Sequence, residues 1–130
     1  MKVMIMGCTR VGAQLASLLE HGGHEITIID VDPSSFEKLG HTFRGNALLG
    51  DGTDEDSLRR AGIEEVEAFI ALSNWENRNI MAAQIARHVF NVSKVICRIY
   101  DPVREEMYRG LGLDTICPAT ALAELIRHKL

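Results

Sequence analysis

The residues of this sequence whose types and spacing most clearly suggest ligand binding form a turn between two glycines near its start. Residues 7–12 read Gly-Cys-Thr-Arg-Val-Gly, after a short apolar run and before a helical pattern. Such a turn leaves the backbone N–H groups of a helix N-terminus free, and these groups and the helix dipole attract anions such as phosphates. Gly7 permits the tight turn, and Gly12 permits a close approach of helix and strand.

The residues between the two glycines leave the phosphate chemistry open in two respects. Thr9 stands where G-x-G-x-x-G has its middle glycine, which lets the backbone come near a pyrophosphate. Thr9 therefore either donates its hydroxyl to a phosphate or crowds out a full dinucleotide. Arg10, followed by Val11 at the same helix mouth, either pairs with a phosphate or is solvated.

A carboxylate follows the second apolar run, at a distance from the glycine turn that is typical of a ribose-binding acid. Asp30 lies 23 residues after Gly7, close to the spacing of about 20 residues expected for an acid that binds ribose hydroxyls. A carboxylate there would repel a 2′-phosphate, which disfavours NADP. Asp32 is the rival candidate, although a helix N-cap before Pro33 is sufficient to explain it.

Two further loops supply polar residues at the same expected edge of a sheet. The first contributes Asp51, Gly52 and Thr53, and the second contributes Ser73 and Asn74. Ligands of open α/β sheets bind at the carboxyl ends of the strands, where both loops are predicted. Turn formation and helix capping explain each loop when it is taken alone. Together with Asp30 and the glycine turn, the loops converge on one crevice.

The elements that must position these residues alternate along the chain. Strands are predicted at Lys2–Met6, at Glu25–Ile29, within Phe43–Leu49, and at Ala68–Leu72, Lys94–Ile99 and Thr115–Cys117. Helical segments are predicted at Val11–Glu20, from Pro33, from Thr53 or Asp54 to about Ala61, from Asn74 to about Val89, at Pro102–Gly110, and after Pro118 to Leu130. This alternation predicts a Rossmann-type α/β domain over residues 1–130, with about six parallel strands doubly wound between helices on both faces.

The final helix, at about residues 119–130, carries an apolar stripe. Leu122, Leu125, Ile126 and Leu130 share one face of it. Either the stripe covers the domain's own sheet, or it packs on another chain and makes the protein a homodimer.

Composition excludes several classes of protein. The chain has 46% hydrophobic and 25% charged residues and a net charge of −4 without a long basic stripe, so we expect no nucleic-acid partner. Its apolar runs are far shorter than the roughly 20 residues of a membrane span, and no signal-peptide pattern is present. We therefore expect a cytoplasmic protein. The three cysteines and five histidines lack ligand spacing, so no metal site is expected.

The whole set of motifs resembles the N-terminal nucleotide-binding domain of the TrkA/RCK family, the regulators of potassium conductance. The segments that carry the resemblance are Val3–Gly12, Ile28–Asp32, Leu49–Thr53 and Ala71–Asn74. The resemblance implies a cytoplasmic regulatory subunit, peripheral to the inner face of the membrane, which binds NAD(H) or ATP, ADP or AMP. It also implies dimers that assemble into rings and gate a potassium channel or transporter.

The resemblance assigns roles to individual residues. It implies that Gly7, Arg10 and Gly12 face the phosphates and that Asp30 faces the ribose. Asp51 and Thr53 would lie near the adenine, with Ser73 and Asn74 on the far side of the crevice, and Arg98 would approach phosphates across the dimer. The final helix resembles the family's crossover element. Thr9 departs from the glycine pattern, and the family's C-terminal effector domain is absent from these 130 residues.

The alternative reading is a small NAD-dependent oxidoreductase or a redox-sensing nucleotide-binding protein. Hydride transfer needs a substrate surface and an acid–base residue beside the nicotinamide. The Rossmann unit uses most of the chain, and no Tyr-x-x-x-Lys pair is present. Cys8 at a helix N-terminus is the candidate redox residue. We predict a binding domain and not an enzyme.

Overall fold

A six-stranded parallel sheet forms the centre of the molecule in the computed structural model, which describes residues 1–110 and 112–130. The strands are β1 (Lys2–Met6), β2 (Glu25–Asp30), β3 (Asn46–Leu49), β4 (Ala68–Ala71), β5 (Lys94–Arg98) and β6 (Asp114–Ile116). Their order is β3-β2-β1-β4-β5-β6, and every neighbouring pair is parallel. This is the doubly wound Rossmann order, and it confirms the predicted fold class.

Helical segments connect the strands. The α-helices are α1 (Arg10–His21), α2 (Glu55–Arg60), α3 (Glu76–Gln84), α4 (Pro102–Gly110) and α5 (Pro118–Lys129). Two 3₁₀ segments span Pro33–Lys38 and Ile63–Glu65, and a π-helical turn at Ile85–Val89 continues α3.

Two helical segments differ from the sequence-based expectation. The segment after Asp32 is a 3₁₀ helix and not an α-helix, because Pro33 and two serines give a short run with little helix propensity. The long helix begins at Glu76 and not at Asn74. The Ser73 hydroxyl accepts a hydrogen bond from the Trp75 N–H at 3.2 Å, and this holds residues 73–75 in a turn before α3.

The apolar residues form one cluster on each face of the sheet. Along β1, Val3 and Ile5 pack on the face covered by α1, whereas Met4 and Met6 pack on the face covered by α2 and α3. Phe69 is the largest fully buried side chain and lies in the second of these clusters. Helices on both faces are what a parallel sheet with strands buried on both sides requires.

Helix α5 packs differently from the other α-helices, because none of its residues is buried. Leu122, Leu125 and Ile126 are 59%, 60% and 52% exposed, so their stripe does not cover the domain's own sheet. That alternative for the final helix is therefore wrong. Among the described residues, no helix has the length and apolar character required to cross a bilayer.

Candidate functional site

A cavity of about 220 Å³ opens at the carboxyl ends of β1, β2 and β4. This is the point where successive connections leave the sheet in opposite directions, which is where open α/β sheets bind ligands. Seven of the predicted site residues line it: Gly7, Thr9, Asp30, Asp32, Gly52, Ser73 and Asn74. The other six predicted residues, Arg10, Val11, Gly12, Asp51, Thr53 and Arg98, lie outside its lining.

The glycine turn is shaped by two close approaches of the backbone. Gly7 has φ +104°, and a Cβ added there would lie 2.7 Å from the Ser73 nitrogen. A Cβ added at Gly12 would overlap the carbonyl oxygen of Gly7. Gly7 therefore brings the turn against the β4 loop, and Gly12 brings α1 against the turn. Gly12 has this packing role although it does not line the cavity.

The Thr9 side chain is already engaged within the protein. Its hydroxyl accepts a hydrogen bond from the Gly12 N–H at 3.1 Å and donates one to the Leu72 carbonyl oxygen at 3.2 Å. Thr9 is thus the N-cap of α1. Its hydroxyl proton is already donated within the protein, which contradicts the alternative in which Thr9 donates that proton to a phosphate. The cap leaves the N–H groups of Arg10 and Val11 for a ligand, as at other helix N-termini.

Asp30 is held in place by backbone donors on both of its carboxylate oxygens. Oδ2 accepts from the Cys8 N–H at 2.8 Å, and Oδ1 accepts from the Asp32 N–H at 2.9 Å. The acid at the end of β2 therefore has a fixed position beside the glycine turn.

Asp32 caps the 3₁₀ segment that begins at Pro33, as the sequence predicted. Its Oδ1 accepts from the Ser34 N–H at 3.0 Å and from the Ser34 hydroxyl at 2.8 Å. The Ser34 hydrogen bonds lower the pKa of Asp32, which keeps the cap ionised. Asp32 also lines the cavity, so capping accounts for its side chain without removing it from the site.

The carboxylate of the loop after β3 is bonded within the protein and is not part of the cavity lining. Asp51 Oδ1 accepts from the Thr53 N–H and hydroxyl, at 2.9 and 2.7 Å, and from Arg78 Nη2 at 2.9 Å. Burial opposes ionisation of Asp51, but the bonds from Thr53 and the Arg78 cation together lower its pKa. The Gly52 backbone reaches the cavity instead, packed so tightly that a Cβ would overlap the Met6 sulfur.

The loop after β4 is organised by a buried asparagine that the sequence did not single out. Asn79 Oδ1 accepts from the Ser73 N–H at 2.9 Å and from its hydroxyl at 2.6 Å. Asn79 Nδ2 donates to the Ser73 carbonyl at 2.9 Å and to the Arg98 carbonyl at 3.2 Å. Asn79 thereby ties the β4 loop to α3 and β5. Asn79 lies six residues after Ser73, and this spacing matches no sequence motif that would predict their contact.

Five further residues with polar or aromatic side chains line the cavity but were not predicted from the sequence as binding residues: Cys8, Ser35, Lys38, Trp75 and Arg78. Ser35 and Lys38 come from the 3₁₀ segment, whose position over the cavity no sequence pattern revealed. Cys8 was considered only for redox chemistry. Burial, and then the nearby Asp30 carboxylate, raise the pKa of its thiol against an opposing effect of Lys38, so little of the reactive thiolate forms near neutral pH.

Arg98 lies behind the glycine turn and not in the cavity. It is only 9% exposed, and its Nη1 donates to the Leu72 carbonyl, the same oxygen that accepts from Thr9, at 3.3 Å. Its guanidinium lies 4.8 Å from the centroid of the Tyr100 ring. Within the described part of the chain its Nε has no hydrogen-bond partner. Arg10 and Val11, by contrast, are exposed at the first turn of α1.

Comparison with known proteins places the chain among relatives whose names refer to potassium uptake. A family model described as "TrkA-N domain" matches residues 3–118. The "Trk system potassium uptake protein TrkA" of Streptomyces coelicolor is 48% identical over 130 residues. That match covers the whole of this chain and 58% of the relative, so the chain spans little more than half of the longer protein.

Solved structures with the same fold include proteins at low sequence identity. The TrkA-N domain of the Escherichia coli inner membrane protein ybaL superposes with a TM-score of 0.84 at 18% identity, covering 99% of this chain and 96% of that one. GsuK bound to ADP superposes with a TM-score of 0.77 at 22% identity, covering 99% of this chain and 34% of that one. The family-model match over most of the chain decides the assignment: this chain belongs to the TrkA-N domain family.

Proposed function

We propose that the chain is a nucleotide-binding regulatory domain that controls a membrane potassium channel or transporter. The observation that carries the proposal is the fixed Asp30 carboxylate beside the glycine turn and the N-terminus of α1, at the rim of one cavity. This arrangement suits a ribose next to phosphates. The Streptomyces relative bears the name of a potassium uptake protein, and GsuK was solved with ADP.

The proposed ligand is NAD(H) or an adenine nucleotide (ATP, ADP or AMP). Its phosphates would meet the N–H groups at the start of α1 and the side chain of Arg10. Its ribose would meet Asp30, and its base would lie toward the backbone of Gly52. Ser73 and Asn74 would form the far wall. The carboxylate of Asp30 favours a ribose without a 2′-phosphate.

The proposed action is regulatory and not catalytic. A domain that does no chemistry on its ligand acts through different affinities of two conformations for that ligand. A coupling of about 1–3 kcal/mol is sufficient for a useful switch. The protonated Cys8 thiol argues against the redox-sensing alternative. The names of the relatives argue for transport regulation and against an oxidoreductase.

We further propose that α5 packs on a second copy of the chain. Its stripe of Leu122, Leu125 and Ile126 has no cover among the described residues, and burial of such a stripe stabilises association. The homodimer, or a ring of dimers, would lie at the cytoplasmic face of the membrane through its transport partner. The expectation that Arg98 approaches phosphates across this boundary is not carried over, because its side chain is buried within its own subunit and donates to the Leu72 carbonyl.

The ligand proposal is tested by thermal unfolding of the purified chain with ADP, ATP, AMP, NADH and NADPH. We expect the non-phosphorylated riboses to raise the melting temperature by mass action, and Asp30→Ala to abolish the rise. Asp54→Ala is the matched control, because Asp54 caps α2 outside the cavity lining. Equal stabilisation by NADPH would contradict the assignment of Asp30.

The regulatory proposal is tested by potassium flux through the partner transport system. We expect Asp30→Ala to remove the response of the flux to nucleotide while the domain remains folded. A flux that responds as before, although binding has been lost, would refute regulation through this cavity.

A further inference from the structure

We infer that Trp75 covers the base of the bound nucleotide and so recognises ligands that carry a planar aromatic ring. The inference rests on the proposed nucleotide function and adds a residue that the sequence pattern did not indicate. Trp75 is the single tryptophan of the chain, and it lines the cavity.

The backbone of Trp75 is fixed, but its indole is left in solvent. The Trp75 N–H donates to the Ser73 hydroxyl at 3.2 Å, and its carbonyl accepts from the Asn79 N–H at 3.0 Å. The residue is nevertheless 69% exposed, and its ring belongs to neither core cluster. An indole ring offers a large apolar face whose burial is favourable. A ligand entering the cavity therefore meets an exposed aromatic side chain on a hydrogen-bonded backbone at the rim.

The size of the cavity indicates what reaches that surface. Its volume of about 220 Å³ is below the roughly 300–1,000 Å³ of typical small-molecule sites. The cavity therefore holds only part of a nucleotide, and the rest of the nucleotide extends past the rim. Trp75 is the only aromatic side chain among the described residues that line the cavity.

The opposite rim supplies a second apolar contact. Val31 directly follows Asp30, lines the same cavity and is 62% exposed. β1 lies between β2, which leads to Val31, and β4, which leads to Trp75. Two strand spacings, about 10 Å, thus separate the two loops. A flat ring between an aliphatic and an aromatic side chain is a common arrangement for a stacked base.

The charged groups of the site favour the same placement. The phosphates are attracted to the N-terminus of α1, and the ribose hydroxyls are attracted to Asp30. Arg78 lies one turn beyond Trp75 and also lines the cavity, but its guanidinium is bonded to Asp51 at 2.9 Å. The uncharged indole is left facing the uncharged part of the ligand, which is the base.

The experiment compares AMP with ribose 5-phosphate, two ligands that differ only in the base. Affinities are measured by calorimetry for the wild-type chain and for Trp75→Ala, Trp75→Phe and Met81→Ala. Met81 is the matched control, because it is an exposed apolar residue of α3 outside the cavity lining. In the wild type, the fluorescence of the single tryptophan is followed during the AMP titration.

We expect Trp75→Ala to weaken AMP by about 5- to 150-fold, the range seen when a stacking aromatic is removed. Trp75→Phe should recover most of this loss, and Met81→Ala should bind like the wild type. Ribose 5-phosphate should bind all four proteins equally, and AMP but not ribose 5-phosphate should change the tryptophan fluorescence.

Two results would overturn the assignment of Trp75 alone. One is AMP binding to Trp75→Ala within twofold of the wild type while Asp30→Ala loses it. The other is an equal loss of AMP and ribose 5-phosphate. A wild-type chain that binds none of the adenine nucleotides or NADH would overturn the proposed function together with this inference.

Discussion

Two regions of the molecule place their apolar residues in opposite environments. One region is the sheet with α1–α3, and the other is the C-terminal helix α5. The first region buries them in two clusters and leaves a cavity at the carboxyl ends of β1, β2 and β4. Helix α5 has the same amphipathic pattern but buries none of its residues. An apolar stripe in the sequence therefore predicts an amphipathic helix, and the fold decides whether its apolar face is buried within the same chain.

The largest expected effect distinguishes the two regions by truncation of one side chain in each. Phe69→Ala, in the fully buried cluster, should lower the free energy of unfolding by about 3–5 kcal/mol. Leu125→Ala, on the exposed stripe, should change it by less than about 0.5 kcal/mol at concentrations where the chain is monomeric. Chemical denaturation measures both values, and a large loss for Leu125→Ala would mean that α5 is covered within its own chain.

The glycine turn provides the next test. Gly7→Ala should cost about 2 kcal/mol or more, because it adds strain at positive φ to a clash with the Ser73 backbone. Gly23→Ala is its control, since Gly23 has φ +87° but no atom within 4 Å of an added Cβ. It should cost only about 1 kcal/mol. Equal losses in denaturation would show that the close approach at Gly7 carries no energy of its own.

A charge on the C-terminal stripe should separate association from folding. Leu122→Glu combined with Leu125→Glu should weaken self-association by at least about 30-fold, the effect of losing one interface hot spot. The melting temperature of the dilute chain should hardly change, because both side chains are already exposed. Sedimentation velocity over a concentration series measures the association. A variant that remains as dimeric as the wild type would place the interface elsewhere.

The smallest expected effect concerns pH and the carboxylate of Asp51. Its pKa is lowered in the folded state, so its ionised form stabilises the fold above the usual aspartate pKa of about 3.9. That contribution is lost as the pH falls through the lower folded value. Asp51→Asn should flatten the acid limb of stability against pH by a small amount, because the pair with Arg78 is partly exposed. An unchanged acid limb would show that the ion pair does not contribute.

The sequence predicted the features that depend on local pattern. The doubly wound parallel sheet follows from alternating elements and right-handed crossovers, and Gly7 and Asp30 reach the cavity because each ends or follows a strand. The direction of a side chain within a loop depends on partners far along the chain. Asp51 is bonded to Arg78, 27 residues further along the chain, and no rule of sequence spacing predicts that ion pair.

The burial of Arg98 and the exposure of Trp75 escaped prediction for the same reason. Residue type suggests a solvated arginine and a covered tryptophan, and the fold reverses both. Arg98 is enclosed because β5 is an interior strand whose end lies beside the β4 loop. Trp75 is exposed because the turn before α3 sets it at the rim.

The two N–H groups that hold Asp30 also affect how quickly a nucleotide can bind and leave. A carboxylate has about four acceptor positions, and the bonds from Cys8 and Asp32 occupy one on each oxygen. A ribose can therefore be accepted without breaking either bond, and capture needs no prior rearrangement of this acid. Affinity differences among ligands of such a ready-made site lie mostly in their departure rates. Under the proposed function, the residence time of each nucleotide then sets how quickly the domain follows a change in supply.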